Sequence, residues 1–464
     1  MFGLTKIVFG LTSFFLLLSL FLKNLGLNMH SKFRFKFLNL LIIFIIISIS
    51  VQATRNVSKY FPFLEKPADY VTKKKSNVSP ALFLISSSSA LKQNGGTIGI
   101  PELHGSYNLK DIIEGVNTVK IAAGQSSYNP FSSEPGYVNW NTKDIYFRAD
   151  GKIKGKGISL GLEKNLFGTG FSVGAFASLM HINTSIRFYF SPSNLATSIQ
   201  NVTQQEVDML DRVRRSVHTE LRLKGDDWSK FGIGDVDAYV KWGHLFDHVM
   251  KMKSIDMNIR FGALIPTGDK ADKDYSSSKP FMGNEHWGAY ADLVTEFELK
   301  QNWKLGFMAG LCKQFEKTYD MRIPIYKEPL LFSAIHGNVE VDPGLTYKLC
   351  PYFTLENITD GVHFHLRTNM VRHKRDNWID KRSNKDVLSY LESTRSDIES
   401  VRSEKSNLSR WKYTYLTLQA IYDSVDAMKN WKFTPTFYLT YDYPFGGRNV
   451  AKTHQVSLCA ELHF

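Results

Sequence analysis

From about residue 143 the chain alternates apolar and polar side chains with a period of two, the mark of β-strands whose two faces meet different surroundings. In the stretch 254–268, Ile255, Met257, Ile259, Phe261, Ala263 and Ile265 share one face, and Asp256, Asn258, Arg260 and Gly262 share the other. In 235–242, Val236, Ala238, Val240 and Trp242 oppose Asp235, Asp237, Tyr239 and Lys241. The last eleven residues set Val456, Leu458, Ala460, Leu462 and Phe464 against Gln455, Ser457, Cys459, Glu461 and His463. Twelve such segments are predicted, near 143–150, 156–166, 170–190, 232–246, 254–266, 286–299, 302–317, 338–355, 361–373, 410–423, 430–443 and 453–464. A soluble sandwich would turn the apolar faces inward. A membrane barrel would turn them to lipid and the polar faces to its lumen.

The connections favour the barrel. Most segments reach the roughly 9–11 residues that a tilted strand needs to cross a bilayer. With Phe464 at the periplasmic rim, the inner connections are short, whereas those after the third and ninth segments run to nearly forty residues. Short turns at one end and long loops at the other are the asymmetry of outer-membrane barrels. The expected fold is therefore all-β: a transmembrane, antiparallel, up-and-down β-barrel of about 12 strands, or 14 if 85–123 adds a hairpin. The parity of apolar positions shifts near His181 and after Tyr415, which predicts a β-bulge or a displaced strand boundary.

Two of the long extracellular loops carry helical spacing. Val207, Leu210, Val213, Val217 and Leu221 recur at three- and four-residue steps, as do Val387, Leu391, Ile398, Val401 and Leu408. Each stripe suits packing on the barrel rim or against the other helix; the sharper alternative places one helix in the lumen as a constriction or a receptor surface.

Composition agrees with a barrel. Of 464 residues, 43% are hydrophobic and 13% aromatic, and the mean hydropathy of -0.21 is too polar for a bundle of membrane helices. On the barrel threading Trp242, Trp303, Trp431 and Phe464 fall at the inner interface, and Trp287, Tyr441 and Tyr443 at the outer one, as membrane-interface anchors. Cys312, Cys350 and Cys459 lack metal-ligand spacing.

The front of the chain holds a basic stretch, an apolar run and small residues at Val51 and Ala53. That order predicts a secretory signal peptide starting at Met29 and cleaved after Ala53, with 1–28 an upstream extension; a two-helix membrane anchor is the rival. Residues 1–53 carry five basic residues and no acids, so a mature chain would hold 52 Lys+Arg against 44 Asp+Glu, a net of +8. That excess is dispersed and lacks a nucleic-acid motif, so no nucleic-acid partner is expected. Residues 54–142 are expected as a periplasmic N-terminal segment, read as a plug of the lumen, a further strand pair or a loosely ordered leader. The barrel is expected over 143–464.

Arg148, Asp235, Asp237, Arg260, Asp292, Glu296, Lys348, His365 and Arg367 are the predicted lumen-lining residues, with Glu163, Lys241, Asp256, Glu298 and Asp442 beside them. Pairing across the interior satisfies charges that are costly alone; a mixed-charge pore wall for polar solutes is the functional counterpart. His363 and His365 stand two apart, a spacing seen in metal sites, but without a local Cys, Asp or Glu. No G-x-S-x-G nucleophile motif is present, and no catalytic residue, cofactor or metal is predicted.

Gly232, Gly234 and Asp235 open one strand, and another closes on Pro266, Thr267, Gly268 and Asp269. With the stretches around them, over roughly 230–315, these residues resemble the outer-membrane barrels of the meta-pathway of phenol degradation, relatives of hydrophobic-compound transport channels. The resemblance implies a Gram-negative outer-membrane channel or transporter for small solutes, hydrophobic ones among them. The terminal Phe464 resembles the family signal read by the barrel-assembly machinery. The alternative function is a structural or surface-interaction barrel with a closed lumen, whose helical loops bind a partner.

Overall fold

The computed structural model describes residues 58–62, 76–166, 170–190, 198–199, 201–247, 252–324, 327–381, 406–424 and 434–463. Twelve antiparallel strands make a closed wall: β1 (Asn77–Ser87), β2 (Tyr146–Leu166), β3 (Phe171–Phe190), β4 (Val236–Asp247), β5 (Ser254–Ile265) and β6 (Gly288–Lys300). They continue as β7 (Trp303–Gln314), β8 (Thr346–Thr359), β9 (Val362–His373), β10 (Trp411–Asp423), β11 (Thr434–Arg448) and β12 (His454–His463). Each pairs with the next in sequence, and β1 pairs with both β2 and β12, so no edge is left open. Closure lets the backbone of the membrane half pair strand to strand all the way round, a requirement in hydrocarbon. Two further short strands join this sheet, Tyr107–Asn108 on β2 and Asp227–Ile233 on β3.

Asn77 pairs with His463, so β1 starts beside the end of β12; we call that the near end. The near-end turns are short and the far-end connections long, as the sequence predicts, apart from the five-residue link 449–453 between β11 and β12.

The number twelve stands, but its membership changes. The predicted strands 143–150 and 156–166 are one continuous strand, β2, and the missing member is β1. Between those two predicted segments, the glycines of 151–155 serve close approach. A Cβ on Gly155 would lie 2.5 Å from Ile85 Cγ1, and one on Gly151 would lie 2.7 Å from Pro101 Cδ. β1 escapes the two-residue test because both of its faces are apolar at the centre: Phe83 and Ile85 point inward, Leu82 and Leu84 outward. The barrel therefore does not begin at 143. Residues 88–145 connect β1 to β2 at the far end, not at the end holding the chain terminus, as the reading of 54–142 supposed.

The far end carries a cap. Helix α1 (Leu109–Ala122) follows the Asn108 N-cap, which accepts the Lys110 N–H at 3.3 Å. Helix α2 (Gln204–Glu220) is the first predicted loop helix. Its capping box is complete: Thr203 Oγ1 accepts the Glu206 N–H, and Glu206 Oε2 accepts the Thr203 N–H at 2.8 Å. Its stripe of Leu210, Val213, Val217 and Leu221 packs with Ile112, Ile113 and Val116 of α1 and with Phe147 and Ile186 of the wall. The stripe is thus a packing face, set against α1 and the inward side chains of β2 and β3 at the far end. The second predicted helix, 386–408, lies almost wholly outside the described residues. The predicted strand 338–355 is broken in two; Ile335–Asp342 joins Lys317–Ile323 and Asn377–Asp380 in a small far-end sheet.

Neither parity shift is a slip of the strand. In β3 the even-numbered residues face inward throughout. Ser172 and Ser178 do so in the near half, and Met180, Ile182 and Ile186 in the far half. Outside, Val173 and Leu179 give way to His181, Asn183 and Arg187. Trp411, Tyr413 and Tyr415 of β10 share the inward face of Thr417 and Gln419; the bulge near Tyr415 is an extra residue on β11, where Thr414 pairs Gly446 and Tyr415 pairs Pro444. What changes along these strands is the surroundings.

Candidate functional site

In the near half the wall is inverted relative to a soluble protein. Leu82, Leu84, Phe261, Leu305, Leu349, Leu439 and Leu458 are exposed on the outer surface, while polar groups fill the inside. The apolar band has bilayer dimensions. Trp303 at the start of β7 and Phe315 just past its end are exposed aromatics at the two ends of the band; twelve residues apart at about 3.3 Å each, on a strand tilted about 40°, they span roughly 30 Å.

Asp237, Arg260, Asp292, Glu296, Lys348, His365 and Arg367 all face the interior of this half, as do Glu163, Lys241, Asp256 and Asp442. They meet in pairs. Glu163 bridges Lys241 at 2.5 Å and accepts the Tyr239 hydroxyl at 2.9 Å and the Ser172 hydroxyl at 3.1 Å. The Arg260 guanidinium stacks over the Tyr239 ring at 4.5 Å. Tyr290 donates to Asp237 at 2.6 Å, Lys348 lies 3.5 Å from Asp292, and Lys304 joins Glu296 to Glu356 at 3.4 and 2.8 Å. Asp442 accepts the Thr417 hydroxyl, and His365 bonds Thr354 at 2.9 Å. Asp235, at the top of β4, accepts the backbone N–H groups of Gly268 and Gly283 at 3.1 and 2.7 Å, and so pins the 266–287 connection. Glu298 lies at the near rim, bonded to Lys253 and Ser254. His363 accepts the Asn357 N–H in the near-end turn, away from His365's partner. These wall groups are closed off from solvent: Arg367 is 1% exposed, Asp442 2%.

Arg148 is a correction. Its side chain is 66% exposed on the outer surface, paired with Asp150 at 2.8 Å. The neighbouring Phe147, Ala149 and Ile153 face inward, because the wall here encloses an apolar fill, and the polar face of β2 turns to water.

That fill closes the bore. Tyr60 and Phe61 of the N-terminal segment, Ile100 and Leu103 after β1, and Phe281 and Met282 before β6 pack against Phe83, Ile85, Ile153, Met180, Ile182 and Trp228. None of the first six belongs to a wall strand. The N-terminal residues are tied to the far rim: Ala451 donates its N–H to Lys59 O at 3.0 Å, and the Thr453 hydroxyl to Tyr60 O at 2.5 Å. Tyr60 Oη meets His104 Nε2 at 2.5 Å. Beside the plug lies a cavity of about 260 Å³ bordered by Lys59, Tyr60, His104, Tyr319, Trp378 and Trp411, among others. Burial pushes the Lys59 ammonium down to about 8 and that of Lys279 to about 7. Two of the three contributing segments lie within 54–142, for which a plug is one of the readings, and the third, with Phe281 and Met282, lies outside it.

Among the predicted anchors, Trp242 and Trp303 stand exposed at the near end, and Trp287 and Tyr441 at the far end. Trp431 and Phe464 lie outside the described residues. The far rim also exposes Phe231, Phe315 and Phe445, which strand parity alone did not single out.

A closed, even-stranded antiparallel barrel with an apolar outer band, polar interior and aromatic rims is a transmembrane β-barrel of the bacterial outer membrane. Among solved structures the chain is similar to an outer-membrane channel from Pseudomonas putida F1 (9% identity, TM-score 0.44, covering 86% of this chain and 100% of that one). It is similar also to a Pseudomonas aeruginosa FadL homologue (8%, 0.30, 86% and 93%) and to a mutant of the monoaromatic hydrocarbon channel TodX (6%, 0.32, 89% and 97%). No family model and no curated protein matches the chain.

Proposed function

We propose that this barrel is a plugged outer-membrane channel that passes small solutes, hydrophobic ones among them, and is not an enzyme. One observation carries the reading: the bore is stopped at the far end by side chains from three segments outside the wall, packed by apolar contact. Such a stopper can move without breaking a strand-to-strand hydrogen bond of the wall, at the cost of a few side-chain bonds such as those of Thr184 to Ser277 O and Gln314 to Gly283 O. Below the plug the near half is filled by paired polar groups, which must part for a solute to pass, and the far-end cavity, lined by aromatic and charged side chains together, is the vestibule above them. The N-terminal leader, the outward orientation of the far end and recognition of β12 by the barrel-assembly machinery belong to the same proposal.

Planar-bilayer recording of refolded protein tests it. Phe281→Ala/Met282→Ala should convert rare openings into steady unitary current, because the plug loses two of its buried anchors. Silence from both proteins over many insertions supports the closed, surface-interaction barrel instead, which the large far-end cap of α1 and α2 favours. Orientation is read separately. Lys381→Cys, exposed at the far end, should react with an impermeant thiol reagent on intact cells, against the buried native Cys312, Cys350 and Cys459. Protection of that cysteine would reverse the orientation.

A further inference from the structure

The outer surface of β2 carries Lys152, Lys154 and Lys156 on consecutive outward positions, all exposed. Among the described residues none of the three forms an ion pair. The nearby carboxylates are engaged elsewhere, Asp150 by Arg148 at 2.8 Å and Asp227 by Arg187 at 3.0 Å. Across the sheet they face Ser185, Asn183 and His181 of β3, which are polar but not acidic.

Their outward neighbours on both sides bracket their place on the wall. Ile158, the next outward residue toward the near end, pairs with Leu82 and Leu179 in the apolar band. Lys156 pairs with Leu84, which pairs with Val456, which pairs with Tyr441 of the aromatic rim. On the other side His181 pairs with the exposed Phe231. Lys156 therefore stands at the rim, with Lys154 and Lys152 roughly 5 and 10 Å above it on a tilted strand. That interval begins in the headgroup region, which is roughly 5–7 Å deep on each side of the hydrocarbon core. Beside the two upper lysines runs a groove of about 440 Å³, lined also by Asn183, Ser185, Asp227 and Ser229.

We propose that this lysine stripe is a binding site for the phosphate groups of a lipid headgroup in the leaflet at the far end, with the groove's hydroxyl and amide groups meeting the sugar or glycerol that bears them. The charge complement is direct. Three unpaired ammonium groups in a row oppose phosphates, while the apolar band below takes the acyl chains of the same molecule. Continuity between stripe and band is what selects a lipid over a free anion. The site is on the outer wall, so it does not depend on whether the lumen conducts.

The test uses the full refolded protein in nanodiscs, titrated with diphosphoryl lipid A and, in parallel, with dephosphorylated lipid A. Lys152→Gln/Lys154→Gln/Lys156→Gln should weaken binding of the diphosphoryl lipid by roughly ten- to a hundred-fold and leave the dephosphorylated lipid unaffected. The control Lys164→Gln/Lys300→Gln, at exposed near-end positions, should bind as the unaltered protein does. Heat-modifiable migration on gels checks that each variant is folded. Equal diphosphoryl-lipid affinity in the folded triple variant overturns the site. Displacement of the lipid by millimolar inorganic phosphate overturns its assignment to a lipid.

Discussion

The two halves of this barrel are made of the same strands and obey opposite rules. Near the chain terminus, Ser172 and Ser178 of β3 look into the lumen, and Val173 and Leu179 look out. A few residues further along the same strand, Met180, Ile182 and Ile186 look in, and His181, Asn183 and Arg187 look out. β2 repeats the exchange, from Glu163 within and Ile158 without to Ile153 within and Lys154 without. The backbone is continuous and its pairing unbroken from Phe147 to Leu166. Polarity along a strand therefore reports which solvent each face meets at that height: lipid outside a polar, charge-paired interior in one half, and water outside an apolar plug and cap in the other. The lesson is that a change of parity in a barrel sequence marks the membrane boundary as readily as it marks a bulge.

Charge placed on the outer face should separate the halves most sharply. Leu458→Arg, on a lipid-facing side chain 53% exposed, should cost about 2–4 kcal/mol near the bilayer middle. Asn183→Arg, outward on the far half, should change stability by less than about 0.5 kcal/mol. Urea titration of both variants refolded into lipid vesicles measures the pair, and equal costs would break the comparison.

Arg322 tests what holds the far half together. Its guanidinium donates to Lys273 O at 2.8 Å, Ser333 O at 2.8 Å and Leu221 O at 2.9 Å, tying α2, the 266–287 connection and the segment after Leu330. Arg322→Met strands three carbonyls and should loosen the cap by about 1–3 kcal/mol while leaving the membrane half intact. Amide hydrogen exchange should quicken in α1 and α2 and stay unchanged in β6 and β7.

The smallest effect concerns pH. Burial lowers Lys279 to about 7, with Lys59 and His104 as its neighbours in the plug and two carbonyls, of Ser277 and Ser278, as its acceptors. From about pH 7 to the usual lysine range the unfolded chain holds a proton that the folded one has released, so this group makes stability rise with pH. Below pH 7 both states are protonated and the slope vanishes. Lys279→Met should flatten the rise by up to about 1.4 kcal/mol per pH unit, read from urea midpoints at pH 7, 8 and 9. An unchanged slope would place Lys279 in contact with water.

Much of the wall was legible because a strand between lipid and a polar lumen must alternate. β4 through β7, β9, β11 and β12 are found within a few residues of where their patterns put them. The interior positions of Asp237, Arg260, Asp292, Lys348 and Arg367 follow from the same alternation. α2 was legible for a different local reason, its three- and four-residue apolar stripe.

What the chain alone determined is thus the set of local periodicities, each fixed by the two environments a strand or helix separates. Where those environments are both apolar, as around Phe83 in β1, or exchange partway, as at Ile158 in β2, the periodicity no longer names the inside. Only the tertiary structure decided that 77–87 closes the ring, that Gly151 and Gly155 make room for Pro101 and Ile85, and that Arg148 faces water. The plug was beyond local pattern for the same reason. Tyr60, Leu103 and Phe281 are far apart in sequence, and what makes them one body is a shared apolar contact that exists only once the wall has closed around it.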